Sequence, residues 1–286
     1  MTLESQIADL GWSPQDCVAL VGAVNDTPET LKSIHELKQA LRSEGDTLER
    51  IFLRHAVSQS IDRIDKLPVP TSVQELLRQQ FQVFGQPRKA DGISLAVDAE
   101  ENDPFIAACK ICTLRRFPAG PIDWVVSGLP RRWFLQMPRR DLPKVMRYIF
   151  GQLGGIQPAF YVHIAHPPRN RSLIIAKEVR RAYYRMAEAL KLQPEVKGIM
   201  CATWLHDPVA MELYPYISAL SEPYLKFGGC LLTNLGPAPV SSGFLKFNSE
   251  RREQYERGAL KLKSVLAIWP RNAAVAWAER NRELGS

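Results

Sequence analysis

Residues 158–207 read PAFYVHIAHPPRNRSLIIAKEVRRAYYRMAEALKLQPEVKGIMCATWLHD, and this stretch decides the fold. Its opening, PAFYVHIAH (158–166), is rich in aromatic and β-branched residues and stops at two prolines, which cannot donate to a ladder. That is a strand leaving a sheet. RSLIIAKEVRRAYYRMAEALKL (171–192) has the length of a helix, with Asn170 or Ser172 as its cap. VKGIMCATWL (196–205) is a second apolar strand. Strand, helix and strand in this order make a crossover unit, so the two strands are parallel neighbours or at least members of one sheet.

The same reading extends in both directions. Toward the C-terminus, DPVAMELYPYISALSEPYLKFGG (207–229) is helical and interrupted at Pro215 and Pro223, and CLLTNLG (230–236) and KSVLAIWP (263–270) are the last two strands, separated by the charged helical piece SERREQYERG (249–258). Toward the N-terminus, RRDLPKVMRYIFGQLGG (139–155) is a helix with Pro143 near its start and a Gly-Gly stop. FIAACKICTLRRF (105–117) and GPIDWVVSGLP (120–130) read as two strands joined by PAG. The polar, turn-rich segment around residues 86–104 is the expected boundary. Residues 1–90 are expected to be a helical N-terminal region, closing with the capped helix TSVQELLRQQFQVFG (71–85), and residues 91–286 a domain with a mixed sheet. The fold class is α/β (α+β).

The 286 residues, 45% hydrophobic and 23% charged, carry enough apolar material for one large or two modest cores and exclude a disordered composition. No run approaches the roughly 20 apolar residues of a membrane-spanning helix, and MTLESQIADLGW is too polar and acidic for a signal peptide. A cytoplasmic protein is expected. Cys17, Cys109, Cys112, Cys201 and Cys230 are odd in number and widely spread, so reduced thiols are the default. The net charge of +7 favours an acidic partner. The arginine pairs are strewn from Arg115-Arg116 to Arg251-Arg252 instead of gathered in a tail, and no nucleic-acid-binding signature accompanies them.

Three of the five histidines fall in or beside the decisive stretch. His35 and His55 sit inside the N-terminal helical pattern as packing or surface residues. His163 and His166, three positions apart, point to opposite faces of an ideal strand. His166 with His206 and Asp207, at neighbouring strand ends, is a chemically sensible set for zinc or iron, against the plainer reading of polar residues at strand ends. Asp207 before Pro208 also reads as a helix cap, which needs no metal. Cys201 is a nucleophile candidate with His206 as partner, although a thiol on a buried strand is ordinarily inert. Cys109 and Cys112 form a lone C-x-x-C. Arg169 and Arg171 stand at the start of the long helix, where free amides attract anions, or where polar residues simply collect.

The succession FYVHIAH, PPRNRS, CATWLHDP and the helix beginning at Pro208 resembles the GNAT-type N-acyltransferase superfamily, in particular its two-part members with a helical N-terminal region. The resemblance covers about residues 105–277. It implies a GNAT-like domain in which the central strand and its neighbour splay apart around the arm of an acyl-CoA, and in which the loop before the long helix holds the pyrophosphate. Arg169, Asn170, Arg171 and Ser172 occupy that loop here. The family loop is rich in glycine; HPPRNRS has none, and its prolines offer no amide. The implied activity is transfer of an acyl group from a CoA or acyl carrier protein thioester to an amine. His163 is the implied base, Tyr214 or Tyr216 the donor to the leaving thiolate, an acidic carrier protein a partner suited to the basic chain, and no metal is required. A metal-dependent enzyme using the strand-end histidines, or a binding protein on a degenerate acyltransferase fold, are the alternatives. SGLPRRW, SERREQYERG and LAIWPR resemble a bacterial protein group, which implies nothing about chemistry.

Overall fold

The computed structural model describes residues 53–54, 56–85, 104–156, 158–164, 175–238 and 249–285; at 85, 104–106, 131–132 and 251 only the backbone is described. The chain divides into two compact units, Met1–Pro118 and Ala119–Ser286. The boundary expected between 90 and 91, and most of the expected N-terminal helices with His35 and His55, lie outside the described residues.

In the first unit, α1 (Thr71–Gly85) forms as its sequence predicts. Val73, Leu77 and Phe81 recur every four residues and all three are buried, so the helix is held by one apolar stripe. α2 (Pro104–Cys112) is a correction, because FIAACKICTLRRF was expected to be a strand and only its end, β1 (Arg116–Pro118), is one. A short apolar run has no period that separates a buried strand from a buried helix, and the alanines here favour the helix. The stop signal is disguised as well. Leu114 adopts the left-handed conformation at φ 59°, while its amide reaches the Ile111 carbonyl (3.0 Å) and the Arg115 amide the Lys110 carbonyl (2.8 Å). This is the glycine-type helix ending made without a glycine.

The second unit contributes five strands to a mixed sheet: β2 (Ile122–Ser127), β3 (Ala159–Ile164), β4 (Gly198–Thr203), β5 (Cys230–Pro237) and β6 (Lys263–Pro270). Their order is β2-β3-β4-β6-β5. β2 runs antiparallel to β3, β4 to β6 and β5 to β6, while β3 and β4 form the parallel pair that the crossover requires. The α/β class with helices around a mixed sheet is therefore as the sequence reads.

The helices fall on two faces. α3 (Arg131–Gln136), α4 (Leu142–Tyr148) and the π-turn Ile149–Leu153 cover one, packing Trp133, Val145 and Ile149 on Ala159, Met200, Leu266 and Ile268. Gly154, at φ 78°, ends that run as the Gly-Gly stop predicts. The other face carries α5 (Ala176–Leu192), α7 (Ser218–Lys226) and α9 (Arg271–Arg280), with Tyr183 edge-on to Trp269 at 5.9 Å and Trp269 edge-on to Trp277 at 5.3 Å. A fork from Arg180 to Glu222 (2.7 and 2.8 Å) ties α5 to α7. Gly198 allows the tight passage between β4 and β6, since a Cβ there would stand 2.4 Å from the Trp269 carbonyl oxygen.

Two details depart from expectation. α5 begins at Ala176 with Ile175 in the cap position and no side-chain cap bond, so neither Asn170 nor Ser172 is its immediate cap. Pro223 does not interrupt the helix; it lies inside α7, where its missing amide forfeits one intrahelical bond. Pro215 does break the run, separating α6 (Pro208–Leu213) from α7 through the 3-10 turn Pro215–Ile217. Among the described residues no helix is long and apolar enough to cross a membrane.

Candidate functional site

The parallel pair has the shortest ladder among the described strand pairs of the second unit. Each of β3 and β4 is six residues long, yet their ladder registers only Phe160 with Ile199 and Tyr161 with Met200. Past those pairs a side chain makes the link, the Cys201 thiol 3.7 Å from the Val162 carbonyl oxygen. The outer partners keep their full registers: β2 follows β3 to Ile164, and β6 follows β4 to Thr203. The short pairing is thus confined to one seam.

His163 stands on β3 two residues past the last ladder pair, on the face of α3 and α4, with its ring 4.7 Å from that of Tyr161. Tyr161 in turn meets Trp133 of α3 at 5.5 Å. Directly across the antiparallel ladder from His163 is Asp123. Opposed residues on one face bring their Cβ atoms to roughly 5 Å, and both side chains are almost completely buried. An imidazole and a carboxylate thus stand at opposed positions of the ladder, both buried. Sequence reading missed Asp123; the signal was a carboxylate inside IDWVV, a strand otherwise wholly apolar.

The other expected residues are dispersed. Tyr214 and Tyr216 pack edge-on against each other at 6.1 Å, Tyr216 more than half exposed, around the turn between α6 and α7. The helix they lead into packs on α5, on the face opposite His163. His206 does not partner Cys201. A 2.8 Å hydrogen bond joins its Nδ1 to the Ser221 hydroxyl, and its Nε2 is buried with no hydrogen-bond partner among the described residues. Burial holds its pKa down, from 6.5 to about 3, so the ring is neutral. Burial likewise pushes the Cys201 thiol up to about 12, which leaves it protonated and a poor nucleophile.

Asp207 is a cap, as its place before Pro208 predicts: Oδ1 accepts from the Val209 amide at 2.9 Å. Its Oδ2 accepts from the Lys263 amide at 2.6 Å, so the same carboxylate fastens the exit of β4 to the start of β6. Arg169, Asn170, Arg171, Ser172 and His166 lie outside the described residues. Among the described residues no three His, Cys, Asp or Glu side chains are grouped to hold a metal ion. Cys109 and Cys112 are buried on α2, one helical turn apart, and burial raises the Cys112 thiol to about 12.

Comparison of the chain with protein-family models, with curated proteins and with solved structures gives no match.

Proposed function

We propose that the second unit is a GNAT-like acyltransferase that moves an acyl group from a CoA or carrier-protein thioester to an amine. The observation that carries this reading is the parallel pair β3/β4, paired at only two positions in an otherwise antiparallel sheet, with His163 just beyond the point where pairing stops. A seam without ladder bonds offers unpaired backbone groups to an extended ligand lying along it.

The chemistry follows from the residues present. The amine attacks the thioester carbonyl, a carbon–nitrogen bond forms, the carbon–sulfur bond breaks, and the amine loses a proton while the thiolate gains one. Neutral His163 takes the first proton, and the Asp123 carboxylate beside it orients the ring and favours the imidazolium that results. The donor of the second proton remains an expectation for Tyr214 or Tyr216, across the sheet. The basic chain suits an acidic carrier protein as donor, and thioester chemistry with reduced thiols suits a cytoplasmic protein. Calorimetric titration with short and long acyl-CoA and with acylated carrier protein tests the proposal. Saturable binding of one of them, with transfer lost in His163→Ala, is expected; binding of none sinks it.

A further inference from the structure

At the end of the sheet where the β3/β4 ladder stops, but two strands away, lies a pocket of about 550 Å³. One wall is the end of α3 and the turn after it, with Gln136, Pro138 and Arg140. The floor is the last part of β5, and the far wall runs from Tyr255 through Leu260 to Lys263 at the start of β6. We propose that this pocket binds a small organic anion, a phosphate or carboxylate carried on an apolar or aromatic body. The inference does not depend on the acyl-transfer reading.

Charge is the first argument. Arg140, Lys261 and Lys263 line the pocket and no aspartate or glutamate does. Lys261 and Lys263 make no ion pair among the described residues, and Arg140 only grazes Asp141 at 3.9 Å. Asp141 is itself engaged on its other oxygen by the Thr233 hydroxyl at 2.6 Å. Cations around one concavity whose lining holds no carboxylate repel each other, so the arrangement is stabilised by an anion among them.

Direction is the second. Lys261, Leu262 and Lys263 are exposed, buried and exposed in turn, so the two lysines lie on one side of the extended segment. Arg140 and the amide groups of Gln136 and Asn234 complete the polar part of the lining.

The walls are fixed in place as well. The Tyr255 hydroxyl donates to the Ala238 carbonyl at 2.5 Å, the Ala238 amide to the Leu262 carbonyl at 2.9 Å, and Asp207 holds the Lys263 amide. Between Asn234 and Pro237 the β5/β6 register shifts, and Gly236 takes φ 102° in that bulge. A Cβ at Gly236 or at Gly258 would meet no atom within 4 Å, so both glycines leave the cavity clear. Pro138, Pro237 and Leu260 with the Tyr255 side chain supply the apolar surface for the body of the ligand.

The test titrates the full chain with phenyl phosphate, benzoate and benzyl alcohol, which share a ring and differ in charge, and follows the backbone amides of Asn234, Gly236 and Gly258 by NMR. Saturable shifts with one or both anions and none with the alcohol are expected, and the stronger anion identifies the headgroup. Lys261→Gln with Lys263→Gln should weaken that binding about ten-fold or more, while Lys66→Gln, a loss of one charge in the other unit, leaves it intact. Because both pocket lysines are exposed, the double variant keeps its fold, checked by an unchanged spectrum elsewhere. No saturable shift by about 10 mM of either anion, an equal response to the alcohol, or equal weakening by Lys66→Gln overturns the proposal.

Discussion

The two faces of the second unit's sheet are built from the same strands and do opposite things with their polar groups. Under α5, α7 and α9 the core is aromatic: Trp124 lies against Phe160, and Trp269 touches Tyr183 and Trp277. Two titratable groups in that core are driven to neutrality, His206 by a lowered pKa and Cys201 by a raised one. Under α3 and α4 the core is largely aliphatic, and that face holds Asp123 beside His163. A buried histidine is thus not one kind of residue. Beside a hydroxyl and the Tyr224 ring it is a packing element, and opposite a carboxylate on the other face it is the base of the proposed reaction.

The contrast is open to attack, most forcefully on the aromatic side. Trp269→Ala removes a fully buried ring and the hydrogen bond from its Nε1 to the Phe227 carbonyl, so stability should fall by about 3–5 kcal/mol in guanidinium unfolding. A loss below about 1 kcal/mol would show that this face is not the structural one.

On the other face the expected effect is on rate. His163→Ala should cut acyl transfer about 10²- to 10⁴-fold with little change in melting temperature. Asp123→Asn should give a smaller cut and change the pH profile of transfer, since it removes the charge that favours the imidazolium. A melting-temperature loss in His163→Ala as large as that of Trp269→Ala would erase the distinction between the faces.

Asp207→Ala isolates the connection between strand ends. It removes a cap and leaves the Lys263 amide unserved, for a loss of about 1–3 kcal/mol by urea unfolding, and it should loosen the anion pocket that Lys263 lines. An unaltered pocket would mean that the β6 start is held by the sheet alone.

The last effect is a slope. His206 has its pKa lowered from 6.5 to about 3 in the folded chain, so between those values the unfolded chain binds a proton that the folded chain refuses. Its contribution is complete above pH 6.5 and declines as the pH falls toward 3, by at most about 1.4 kcal/mol per pH unit. Glu222, whose pKa the Arg180 hydrogen bond lowers, adds acid sensitivity of the same sign, lost as pH falls through its folded value. His206→Gln should flatten the dependence of the unfolding midpoint between pH 6.5 and about 4; an unchanged slope would return His206 to the ordinary solvated histidines.

Much of this architecture is legible in the chain because its signals are local. Prolines, glycines and apolar runs mark β3, α5 and β4, and the length of the intervening helix makes the strands parallel. Asp207 before Pro208 declares a cap, and the structure has one. Local signals fail where the deciding contact is distant or disguised. FIAACKIC becomes a helix because burial, not period, selects its conformation, and Leu114 ends it in a place where glycine is the usual sign.

The functional pairings belong wholly to tertiary structure. Asp123 and His163 are forty residues apart and become neighbours through the β2/β3 register, which a shift of one residue would turn to the opposite face. Cys201 and His206, five residues apart, look like a nucleophile and base until helix α7 delivers Ser221 to the imidazole and leaves the thiol to the Val162 carbonyl. Sequence determined which strands exist and how they follow one another, because hydrogen-bonding propensity and apolar period act over a few residues. Register, face and burial are set by contacts across the whole core, and they alone decided which histidine sits beside a carboxylate and which is sealed in aromatic rings.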